Sequence, residues 1–146
     1  MSEIHESISV DVPFERVPEL AERFLATIKN NDGDAVIPLS VEVGDLVVER
    51  EARLAIVPTR RYWGYEIMDI GWEARGGGPY PAFKGTLCAE QETLKTCRLD
   101  LDGEYLPPGN IAGAAFDAMM GHRIAQAVSR RLLERMRAAF EGTLVG

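Results

Sequence analysis

Few side chains in this sequence could carry out chemistry. There are two histidines, His5 and His122, and two cysteines, Cys88 and Cys97. A zinc site needs three or four converging His, Cys or carboxylate ligands, and a nucleophile needs a base within hydrogen-bond reach. Neither spacing is present. His5 falls on the polar side of an alternating segment, and His122 lies beside the inner edge of a helical pattern. Both read as surface or boundary histidines, so no metal and no cofactor is expected. The run Gly76-Gly77-Gly78 has the composition of a phosphate cradle, but such loops open a helix. This one leads into Tyr80-Pro81 and a strand pattern, which makes it a hairpin loop.

Polar residues on otherwise apolar faces are more informative. If strands over 45–57 and 61–73 pair about Thr59, Arg50 lies opposite Met68 and diagonal to Glu66, and Arg50 and Glu66 form an ion pair on the covered side. Burying such a pair costs several kcal/mol per ion, offset only by good geometry. It would fix register or grip a polar ligand group. A slip of one residue would send both side chains to water. Tyr105 carries a hydroxyl that needs a partner if buried. Asp117, in the first turns of a helix, reads as a dipole carboxylate. Arg50, Glu66, Tyr105 and Asp117 are the groups that could orient a substrate or move a proton.

The elements that position them follow from periodicity. Residues 4–12 alternate, with Ile4, Ile8, Val10 and Val12 on one face, which predicts a half-buried strand. A short turn at 14–17 and a helix from Pro18 follow, with Pro18 tolerated in the first turn, and Asn30-Asn31-Asp32-Gly33 ends that helix. From 35 to 106 the pattern is strand after strand, with turn signals at Gly44-Asp45, Pro58-Thr59, Gly76–Pro79 and Glu92–Lys95. Short connections imply antiparallel neighbours, and one polar face per strand implies a sheet covered on one side. The cover is the last helix, with Asn110 as its N-cap. Ala118, Gly121, Ala125, Val128, Leu132, Met136 and Ala139 share one side, Arg123, Gln126, Arg130, Glu134, Arg137 and Glu141 the other, and Gly142 marks its end. The stretch 112–121 is rich in Gly and Ala, giving way to larger residues at Val128, Leu132 and Met136. This taper implies either a close approach to the sheet or space beside the helix.

The 146 residues, 1–146, are expected to form one domain with one core. The net charge of −7 argues against nucleic acid, which demands a basic face, and against anionic membranes. Arg123, Arg130, Arg131, Arg135 and Arg137 are interleaved with Glu134 and Glu141, the pattern of a solvated face with local ion pairs. No run approaches the roughly 20 apolar residues of a membrane span, and the first residues lack a secretory pattern. Cys88 and Cys97 fit no disulfide framework and, by the predicted register, lie on opposite faces as free thiols. A cytoplasmic location is expected.

The segments GWEARGGGPYPAFKGTL (71–87), RLDLDGEYLPPGNIAGAAFD (98–117) and RIAQAVSRRLLERM (123–136), in this order, resemble the START-like, or birch-pollen-allergen-like, superfamily (SRPBCC). The sequence is similar to its uncharacterised bacterial single-domain members. The resemblance implies an α+β helix-grip fold: a curved antiparallel sheet of about six to seven strands wrapped around a long C-terminal helix, with two short helices after strand one. It also implies a cavity between sheet and helix for a lipid, sterol, polyketide or isoprenoid-like molecule. On that expectation Arg50, Glu66, Met68, Trp72, Phe83, Leu99, Tyr105, Asp117, Gly121, Ala125, Val128 and Leu132 are the candidate ligand-binding residues, and the 76–78 loop is a candidate cavity mouth. Binding or transport of a small apolar molecule is the first functional expectation. A polyketide cyclase- or dehydratase-like enzyme on the same scaffold, or a protein-partner module, are the alternatives, because fold alone does not fix function.

Overall fold

A computed structural model describes residues 2–43, 46–74, 82–106 and 118–145. The N-terminal alternation forms strand β1 (Ser2–Val10), and Pro13 precedes a single 3-10 turn at Phe14–Arg16. Helix α1 (Val17–Thr27) carries Pro18 in its first turn, where no intrahelical N–H is lost. It buries Val17, Leu20, Ala21 and Phe24. Asn30 shapes the exit: its Oδ1 accepts the backbone N–H groups of Asp32 and Asp34, both at 3.0 Å, and Gly33 supplies φ +87°.

Five strands follow: β2 (Val36–Val43), β3 (Leu46–Tyr62), β4 (Tyr65–Ala74), β5 (Ala82–Gln91) and β6 (Cys97–Leu106). The sheet order is β1-β6-β5-β4-β3-β2, antiparallel throughout, so β1 and β2 are the edges. The β3–β4 turn does not fall at Pro58-Thr59, as the turn chemistry suggested. The strand continues to Tyr62, the ladder shifts register between Pro58 and Arg60, and the chain reverses at Trp63-Gly64, where Gly64 takes φ +77°. Pro58 is tolerated because β2 pairs with β3 only up to Arg53, so beyond that point β3 is itself an edge.

Inward-facing rows run across the sheet, among them Leu54–Trp72–Phe83–Tyr105, then Ile56–Ile70–Gly85–Gly103–Ile4, then Met68–Leu87–Leu101–Glu6, then Glu66–Ala89–Leu99–Ile8. Helix α2 (Ala118–Val145) covers them. It ends at Val145, close to Gly142. Gly142 lacks the positive φ of a helix-ending glycine, and a glycine within a helix weakens it by about 1 kcal/mol without breaking it. The buried face of α2 contains Ile124, Ala125, Val128, Leu132, Leu133, Met136 and Phe140.

The helix packs mainly against β1 and β2, and less against β6 and α1. A sheet whose two edges both reach one helix must curve around it, so its middle strands stand farther off. Polar contacts fasten both edges. Arg130 donates to buried Glu6 on β1 at 3.5 Å, and Arg135 donates to the Pro38 carbonyl on β2 at 3.3 Å. The Asp11 N–H donates to Glu141 at 2.9 Å. These bonds join separate elements, so the charged face of α2 does more than form the local ion pairs expected of it.

Candidate functional site

The row Trp72–Phe83–Tyr105 stands where β4, β5 and β6 approach residues 75–81 and 107–117. The Trp72 and Phe83 rings, directly opposite in register, stack with centroids 4.2 Å apart and planes at 11°. Phe83 leans over Gly103: a Cβ there would come within 2.6 Å of Phe83 Cζ. The missing side chain on β6 is therefore what lets the ring lie flat against Trp72. Tyr105 continues the row, and its ring meets that of His122 on α2 at 5.9 Å. His122 is half-buried, whereas its neighbours Gly121 and Ala125 are buried. Trp72 is 3% exposed, and its indole Nε1–H finds no acceptor among the described residues. A buried donor left unpaired costs about 1–3 kcal/mol, so among the described residues this position holds an unused hydrogen bond inside an apolar layer.

The opposite end of β4 is arranged differently. Glu66 lies six positions from Trp72, about 20 Å along a strand. It is buried and faces Arg61, with Nη1 and Oε2 3.7 Å apart. Oε2 has no hydrogen bond among the described residues. The Arg61 guanidinium also lies 5.2 Å over the Phe14 ring. The expected Arg50–Glu66 pair does not form. With the turn at Trp63-Gly64, Glu66 falls opposite Arg61, Met68 falls opposite Pro58, and Arg50 pairs in register with Leu39 on β2. The side chain of Arg50 lies outside those described.

Of the other residues singled out in the sequence, Met68, Leu99, Val128 and Leu132 are fully buried between sheet and helix. Asp117, Asn110 and Gly76–Gly78 lie outside the described residues. The candidates thus divide into an aromatic group whose Trp72 donor has no acceptor among the described residues, an apolar middle, and an acid–base pair at the far end. Among the described residues, no three His, Cys, Asp or Glu side chains are grouped to hold a metal ion.

Sequence reasoning passed over three features. Glu6 sits on the inner face of β1, 8% exposed, and with Arg130, Leu133 and Arg137 lines an open groove of about 200 Å³ beside α2. Its in-phase position within the apolar alternation was the available signal. On the outer face, His5 pairs with Asp102. That hydrogen bond and the carboxylate charge raise the imidazole pKa above its ordinary value of 6.5. The third feature is the turn at Trp63, exposed although apolar.

The sequence matches no family model and no curated protein. Among solved structures, the chain resembles an aromatase/cyclase, Zhui, from a Streptomyces species (17% identity, 97% of this chain and 92% of that one, TM-score 0.56). It also resembles a protein from Thermus thermophilus (17% identity, 97% and 99%, TM-score 0.55). A START superfamily protein from Mycobacterium smegmatis aligns more loosely, at 14% identity and TM-score 0.43. The chain has an α+β helix-grip fold, with six described strands curved around a long C-terminal helix. Among the described residues, no helix is long and apolar enough to cross a membrane.

Proposed function

We propose that the protein binds a small, largely apolar molecule carrying a hydrogen-bond acceptor, such as a carbonyl, between the sheet and the first turns of α2. The observation that carries this reading is the indole N–H of Trp72, which has no acceptor among the described residues and belongs to a ring stacked on Phe83 in an apolar layer. A ligand acceptor would recover the hydrogen bond that folding leaves unmade. The middle strands stand back from the helix, and Gly121 and Ala125 keep its near face small. Polyketides, sterols and isoprenoid ketones share the required chemistry, and a cytoplasmic carrier or sequestering protein is the matching role.

A second reading, cyclisation or dehydration of such a ligand, draws on Tyr105 and His122, whose rings meet at 5.9 Å beside the same row. It also draws on the likeness to a protein described as an aromatase/cyclase.

Native mass spectrometry of freshly purified protein tests the first reading, together with Trp72 emission in Trp63→Ser protein. We expect a bound mass that solvent extraction removes, and a change in Trp72 emission when it is restored. Absence of both, with no melting shift from any ketone-bearing apolar compound, overturns the proposal. A mass released in altered form, with alteration lost in His122→Ala, favours the enzyme.

A further inference from the structure

The β3–β4 turn carries the sequence Arg60-Arg61-Tyr62-Trp63-Gly64-Tyr65. Trp63 is 98% exposed, Tyr62 50% and Tyr65 43%. The β5–β6 turn carries Leu94, 83% exposed, followed by Lys95. The two tips are neighbours, since the Gln91 N–H donates to the Gly64 carbonyl at 3.0 Å. The tyrosines are anchored through their hydroxyls: Arg60 donates to Tyr62 at 3.2 Å, and Tyr65 donates to Glu90 at 3.1 Å. Trp63 and Leu94 therefore project beyond a fixed base. Only Gly64 takes the left-handed conformation in the turn, so turn geometry accounts for the glycine and not for the tryptophan.

We propose that this end of the sheet docks on the interface of a lipid bilayer, with Trp63 and Leu94 entering the headgroup–acyl boundary and Arg60 and Lys95 reaching phosphates. Three observations select a bilayer over a protein surface. The apolar area is small and divided between two points, whereas a stable protein interface takes about 800 Å² from each partner. The side chains are those that settle at bilayer interfaces: amphipathic Trp and Tyr rings beside long cationic chains. The local charge also departs from that of the chain. Besides Arg61, two cations, Arg60 and Lys95, flank the tips of a protein with net charge −7. Of the nearby acids, Glu66 faces Arg61 and Glu90 is held by Arg98, which leaves Glu92 beside them. Neutral headgroups suit this end better than strongly anionic ones, because the remaining charge of the molecule is repelled by an anionic surface.

The test uses the full chain and vesicles of phosphatidylcholine with brominated acyl chains. Bromine quenches only indoles close to it, so the part of the quenching that Trp63→Ser removes reports Trp63, and any part that remains reports Trp72. We expect quenching and co-sedimentation with the vesicles. Trp63→Ser and Leu94→Ser should each lower the partition coefficient about tenfold or more, with unchanged melting, because both side chains are exposed in the fold. No quenching and no co-sedimentation overturn the proposal. So does concentration-dependent self-association in solution that Trp63→Ser abolishes, since the tips would then be a contact between copies of the chain.

Discussion

Gly85 and Gly103 face each other across β5 and β6 so closely that neither can carry a Cβ. One added at Gly85 would lie 2.1 Å from the Asp102 carbonyl oxygen, and one at Gly103 would lie 2.4 Å from that of Lys84. Both obstacles are backbone, so relief requires the strands to move apart. Overpacking of this kind costs about 1–3 kcal/mol. Gly103→Ala should lower the unfolding free energy measured by urea titration by that amount. It should also weaken the near-ultraviolet circular dichroism of the aromatic row, because the new methyl group displaces Phe83 from Trp72. A variant with wild-type stability and spectrum would show that the strands are not this close.

Arg61 and Glu66 make an asymmetric pair, with side chains 49% and 6% exposed. Removing the arginine strands a buried carboxylate, whereas Glu66→Gln removes the charge that needed it. For a fully buried pair the first change costs about 3–5 kcal/mol. Half-exposure of Arg61 reduces this to about 1–2 kcal/mol. Arg61→Ala should therefore destabilise more than Glu66→Gln, and the double variant should recover part of the loss. Strict additivity in denaturant titrations would refute the coupling.

Much of this architecture was legible in the sequence, and the exceptions have physical causes. Alternation placed Ile4, Val10, Leu99 and Leu101 inward, and the 3.6-residue period placed Val128, Leu132 and Met136 toward the sheet, because burial on one face is what those periods encode. Pro58-Thr59 misled because proline is excluded from a strand only where a neighbouring strand needs its N–H, and β2 ends before reaching it. That single displacement moved the pairing and dissolved the Arg50–Glu66 contact. Glu6 stayed hidden because its partner, Arg130, lies 124 positions away on another element. That Trp72 has no acceptor among the described residues could not be read at all, since a missing hydrogen bond leaves no pattern in the sequence.

The His5–Asp102 pair sets a pH dependence whose sign is fixed. The folded-state pKa of His5 is raised by its hydrogen bond to Asp102 and by that carboxylate's charge. Its contribution to stability is complete below the unfolded value, about 6.5, and is lost as pH rises through the folded pKa. Proton NMR should place the His5 midpoint above 6.5, and Asp102→Asn should bring it down. Both side chains are more than half exposed, so the effect on stability should be small and weakened by salt. A midpoint unmoved by Asp102→Asn would rule the pair out.

The two thiols are free and face opposite sides of the sheet, Cys97 toward the core and Cys88 outward. Burial pushes the Cys97 pKa up to about 11, and burial together with Asp100 and Glu90 also raises that of Cys88. The thiolate is the reactive form. At pH 8, a thiol reagent should label Cys88 slowly and Cys97 only as fast as the protein unfolds. Denaturant without reductant should release two equivalents at once. Rapid native labelling of Cys97 would mean that its side of the sheet opens.

Ala125 offers the sharpest test of space beside the aromatic row. It is 1% exposed on α2, one turn beyond Gly121, and Ser129 bonds back to its carbonyl at 2.7 Å. If helix and sheet meet here in a filled core, Ala125→Leu adds atoms with nowhere to go and costs about 1–3 kcal/mol. If a ligand occupies this level, the leucine takes the ligand's place: the empty protein should be as stable as wild type or more so, while binding weakens. Because a ligand stabilises the fold by RT ln(1 + [L]/Kd), the melting shift produced by a ketone-bearing apolar compound should shrink in Ala125→Leu. It should persist in a distant control such as Cys88→Ser. Leu132→Ala, fully buried farther along the same helix, should by contrast lose about 2–5 kcal/mol without a selective effect on the ligand shift. Loss of stability in Ala125→Leu comparable to that in Leu132→Ala would mean that the core is filled at both levels and that the ligand does not lie under this turn.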